Sequence, residues 1–124
     1  MNEDFITYEL AIKLKEKGFD YPCIGHYVNN QLYVAHYQNA FHSDNDESVD
    51  APTIPQVLKW LREEKKIHII VEISDSGWYY TLYPNVRWEN GKLKSDKYIM
   101  SFKNKESYEQ AALAGIEYVL DNLI

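Results

Sequence analysis

The sequence predicts an α+β protein: one small domain over residues 1–124, with three helices and an antiparallel sheet of about four to five strands, in the order α-β-β-α-β-β-β-α. Helical periodicity recurs in segments that carry their own start or stop signals. The β-rich runs between them are short and joined by turn signals, too close for the crossovers that parallel pairing demands. The chain has 124 residues and 45% of them are apolar, enough for one core without a disulfide or a metal.

Residues 4–17 predict the first helix, ended by Gly18, the residue that most easily turns left-handed at a helix end. Ile6, Leu10 and Leu14 fall on one face at about 100° per residue, and Phe5, Tyr8 and Ile12 on roughly the opposite one. A helix with two apolar faces needs two covers: either it is wedged between the sheet and a loop, or Phe5 frays into a local contact, or Phe5, Tyr8 and Ile12 meet another chain.

The segment CIGHYVNNQLYVAHY predicts a hairpin, with strands at 23–28 and 31–37 around Asn29-Asn30. Asparagine tolerates the positive φ of a tight hairpin turn. Residues 42–50, HSDNDESVD, are acidic and aperiodic and read as loop.

Thr53 is placed to cap the second helix, with Pro55 in its first turn, where a missing N–H does no harm. Ile54, Val57, Leu58 and Leu61 form its core stripe, while Lys59, Arg62 and Lys66 gather on a flank. Trp60 lies off that stripe. It is either seated against the aromatics of 78–83 or offered to a partner.

Alternation places Ile67, Ile69, Val71 and Ile73 on one face of a strand. Ser74–Gly77 turns into the strand WYYTLY, which Pro84 ends or marks as an edge or a bulge. Glu89-Asn90-Gly91-Lys92 is a further turn, and YIMSF at 98–102 a further strand. Ser107 and Gln110 have the spacing of a capping box for the last helix. Ala112, Ile116, Val119 and Leu123 line one face of it, with Leu120 at its margin, and Ala111, Ala112, Ala114 and Gly115 permit close approach to a sheet or helix.

A formal net charge of −6 opposes a dedicated binder of nucleic-acid backbones, which needs a surplus of cations. The single cysteine, Cys23, fits a reducing compartment. MNEDFITYEL lacks the basic and apolar regions of a signal peptide, so a cytoplasmic protein is expected. No cofactor is expected, because neither GxxxxGK[ST] nor GxGxxG occurs.

His26, His36 and His42, followed by Asp44, are the candidate metal ligands, although no pair has the spacing of HxxxH or HExxH. A metal-dependent hydrolase built on His26, His36 and the acidic loop 44–50 is therefore the enzymatic alternative. Cys23 sits at no strained turn or helix start that would activate a thiol. The same acidic loop could imitate nucleic acid towards a basic partner. Tyr79 and the other tyrosines of 78–83, with Lys59, Arg62 and Lys66, could stack on single strands.

The runs APTIPQVLKWLREEKKIHIIVEI, WYYTLY, SYEQAALAGIEYVLDNL and FITYELAIKLKEKGF resemble a group of small uncharacterised proteins encoded in prophages and other mobile elements of gut bacteria. Ala51, Pro52, Thr53, Leu58, Trp60, Leu61, Arg62, Glu63, Tyr108, Glu109, Ala111 and Ala112 match that group's pattern. The unbroken IHIIVEI and Gly115 before Ile116 depart from it. The resemblance implies an accessory protein in a bacterial cytoplasm and carries over no catalytic residue. The expected function is a non-enzymatic interaction module, a homodimer or small adaptor. Phe5, Tyr8, Ile12, Trp60 and Tyr79 are its candidate surface, for a protein partner or a second copy and not for a membrane.

Overall fold

The structure is a computed structural model that describes residues 4–34, 48–101 and 103–124. Its class is α+β, with three helices and, among the described residues, eight strands, every pairing antiparallel. The strands form sheets of three, three and two rather than one sheet of four to five. Contacts divide the chain into two compact units, Met1–Val57 and Leu58–Ile124.

In the first unit, α1 is Tyr8–Glu16, shorter than the predicted helix. Thr7 is extended and its hydroxyl accepts from Leu10 N, so the helix starts there and not at residue 4. Phe5 falls outside it and bridges to Thr53. The stop is as expected: Gly18 takes φ +87° and Phe19 N donates to Leu14 O at 3.0 Å.

Strands β1 (Gly25–Val28), β2 (Gln31–Val34) and β3 (Ser48–Ala51) form a sheet in the order β2-β1-β3. Asn29 and Asn30, at φ 51° and 64°, make the hairpin turn that the sequence announces. β3 occupies the end of a segment read as loop, because pairing with β1 uses backbone groups that an acidic composition does not reveal. Gly25 is required by close approach: a Cβ there would lie 2.7 Å from the Phe5 ring and 2.8 Å from Ala51 O. Ile6, Leu10, Leu14, Cys23 and Ala51 are buried.

The boundary between the units falls within α2 (Ile54–Glu64). Thr53 and Gln56 close a reciprocal capping box, Gln56 N donating to Thr53 Oγ1 at 3.4 Å and Thr53 N to Gln56 Oε1 at 3.0 Å. The helix ends with Lys66 at φ 59° and Ile67 N donating to Leu61 O at 3.0 Å.

In the second unit, β4 (His68–Ser74), β5 (Gly77–Tyr83) and β8 (Ile99–Met100) form a sheet in that order. Between β5 and β8 the chain makes a separate ribbon of β6 (Arg87–Glu89) and β7 (Lys92–Lys94), turning at Asn90 and Gly91, both at positive φ. The sequence predicts that turn, but not the two short charged strands around it.

Helix α3 (Tyr108–Asn122) packs on β4 and β5. Gly115 lets it settle, since a Cβ there would stand 3.2 Å from Tyr80 Cγ and 3.3 Å from Ile69 Cγ2. The Ser107 hydroxyl accepts from Gln110 N as expected, but Gln110 Oε1 takes the N–H of Glu106 instead of that of Ser107. Leu120, not Leu123, supplies the last buried position. Burial fades along β4, from buried Ile69 to Ile73 at 68% exposure.

Candidate functional site

Among the candidate metal ligands, His26 lies on β1 and faces Asp50 across the sheet, Nε2 to Oδ1 at 3.4 Å. A buried His26 facing a half-buried Asp50 is what a satisfied strand histidine looks like. His36, His42 and Asp44 lie outside the described residues, as does most of the acidic loop. Among the described residues no three His, Cys, Asp or Glu side chains converge as a metal site.

Cys23 is buried and its thiol donates to Tyr21 O at 3.2 Å. Burial, and secondarily the charge of Asp50, pushes its pKa up to about 12. Such a thiol stays protonated at neutral pH and is no nucleophile.

The candidate surface residues separate. Phe5, Tyr8 and Ile12 do not form one helical stripe, because Phe5 precedes the helix and its ring lies against Gly25. Tyr8 packs edge-on to Tyr27 at 5.6 Å, and all three are half-buried. Trp60 is only 2% exposed, with Lys65 Nζ at 5.3 Å from its ring centre. That burial removes Trp60 from the candidate surface. Tyr79 is half-buried. It shares a face of β5 with Thr81 and Tyr83, whereas Tyr80 points to the other face, beneath α3. The strand's tyrosines therefore form no single stacking platform.

The face of the β4-β5 sheet away from α3 carries a groove that the sequence does not disclose. The register pairs His68 with Tyr83 and Ile70 with Thr81, so these four residues share that face. The chain after β5 is held in place by Val86 N donating to Lys66 O at 2.7 Å and Asp96 N to Pro84 O at 2.9 Å. The groove encloses about 600 Å³, within the ordinary range for small-molecule sites. Ile67, Ile70, Tyr83, Val86 and Leu93 give it an apolar lining, and Arg62, His68, Lys94 and Ser95 complete it. None of these residues is acidic, in a chain with six more acids than bases.

Within the groove, Lys94 Nζ pairs with Glu89 at 3.4 Å. Arg62 makes no ion pair or hydrogen bond among the described residues. His68 Nδ1 is buried without a hydrogen-bond partner among them. Desolvation, with Arg62 adding to it, lowers the pKa of His68 and favours the neutral ring.

The β6-β7 ribbon borders this groove and is two-faced. Arg87, Glu89 and Lys94 are linked by ion pairs at 3.2 and 3.4 Å on one side. Trp88 and Leu93 stand directly opposite each other on the other side, 74% and 62% exposed. The alternation R-W-E-N-G-K-L-K around Asn90-Gly91 is the signal that could have found them. His68 leaves no such trace, because an unpartnered nitrogen is a property of the packed state.

No helix among the described residues is long and apolar enough to cross a membrane. No protein-family model, curated protein or solved structure significantly matches the chain.

Proposed function

We propose that this protein is a non-enzymatic interaction module that self-associates through the apolar face of its β6-β7 ribbon. The exposed cross-strand pair Trp88–Leu93 carries the reading. Each such side chain gains about 1.5–3 kcal/mol when it leaves water, and tryptophan is the residue most enriched at interface centres. A two-stranded ribbon is marginal alone, and among the described residues both its outer edges are unpaired.

A two-fold contact would set Trp88 and Leu93 of one copy on the same pair of another, with the ion-paired face left in solvent. Among the described residues of unit 1, Cys23 is held protonated and His26 pairs with Asp50, which supports a binder over a catalyst. From the resemblance to mobile-element proteins alone, we infer the context of a cytoplasmic accessory protein.

Light scattering tests the contact. At about 100 µM chain, far above the ~1 µM Kd of a contact worth about 8 kcal/mol, the wild type should show twice the mass of one chain. Trp88→Ser with Leu93→Ser should show a single chain with unchanged circular dichroism. A wild type that stays single, or a double variant that still pairs, rejects the proposal.

A further inference from the structure

We propose that the groove beside the ribbon is a binding site for a small amphipathic carboxylate, an apolar chain or ring bearing one anionic head, with Arg62 as its counter-ion. The inference stands on the charge and shape of the groove, which shares Leu93 with the ribbon face proposed for self-association. An apolar lining of Ile67, Ile70, Val86 and Leu93 would take up a short hydrocarbon, and the space of about 600 Å³ suits a ligand of that size.

Two cations and no acid line the groove, so its polarity runs against that of the whole chain. The two cations are not equivalent. Lys94 is occupied by Glu89, whereas Arg62 has its full fork of donors open among the described residues. A guanidinium fork matches a carboxylate with two parallel hydrogen bonds, which a neutral head group cannot return with equal strength. His68 contributes a flat ring alongside Tyr83, their centres 6.4 Å apart. In its neutral form it leaves the pairing with the carboxylate to Arg62.

Octanoate and its neutral isostere octanamide separate the charge from the hydrocarbon. Titrated into the full chain and followed by amide NMR, octanoate should move the resonances of Ile70, Val86 and Leu93 and bind at least about tenfold more tightly than octanamide, a difference of about 1.4 kcal/mol. Arg62→Gln alters an exposed side chain and should bring the two affinities together while leaving that of octanamide unchanged. Lys94→Gln should preserve most of the preference. The proposal is overturned if octanoate leaves the groove resonances unmoved. It is equally overturned if the amide binds as well as the acid, the behaviour of a seat for an apolar protein side chain, or if Arg62→Gln keeps the preference.

Discussion

His68 has a ring that packs beside Tyr83 and a buried Nδ1 that meets no partner among the described residues. A buried polar atom without a hydrogen bond costs about 1–3 kcal/mol, most of which returns if the atom is replaced by carbon of the same shape. His68→Phe keeps a flat ring against Tyr83 and removes the nitrogen. It should raise stability by about 1 kcal/mol, read as a higher urea midpoint at unchanged slope. A loss of similar size would mean that Nδ1 is satisfied in solution. Trp60 makes the complementary point. Its position off the core stripe leaves a seat or a partner surface open to sequence reading, and the structure buries it to 2% exposure.

At the scale of elements, α2 shows what a capping box does when both partners take part. Thr53 and Gln56 each satisfy the other's backbone N–H, and Gln56 Nε2 also donates to Pro22 O at 3.1 Å. Thr53→Ala should cost about 1 kcal/mol, and Gln56→Ala a comparable amount. The double variant should cost less than their sum, because either change already breaks the reciprocal pair. Strict additivity in urea melts would show that the two bonds act separately. The box also marks the reach of sequence reading. Caps, the Asn29-Asn30 turn and the Gly18 stop were legible because each is decided by neighbours within a few residues. The start of α1 is obscured because Thr7 competes with an apolar periodicity that extends past it to Phe5. Strand β3 and the β6-β7 ribbon leave little trace in the sequence because they are short, charged and held by backbone pairing. The groove was hidden for a further reason: it joins Arg62 to Lys94 through register and packing.

For the whole molecule, the dependence of stability on pH should have two limbs with separate origins. The pKa of His68 is lowered from 6.5 by desolvation and then by Arg62, so the unfolded chain takes up the proton first. Stability is therefore complete above pH 6.5 and falls as the pH drops through the lowered value. His68→Phe should flatten that limb. On the alkaline side Cys23 is raised from 9.0 to about 12, so the unfolded chain loses its proton first and stability falls as pH rises between those values. Tyr27 is raised by burial and then by Glu9, and Tyr80 by burial and then by Tyr118 and Glu117. Both act with the same sign, but from 10.0 upwards. The loss that begins near pH 9.0 therefore belongs to Cys23, and the later loss is shared with the tyrosines. Cys23→Ala should lower stability at neutral pH by leaving a small cavity, yet shift the onset of alkaline loss upwards by about one pH unit. Chemical denaturation measured from pH 5 to pH 11 resolves both limbs. An unchanged alkaline onset in Cys23→Ala would mean that the thiol titrates normally and is reached by solvent.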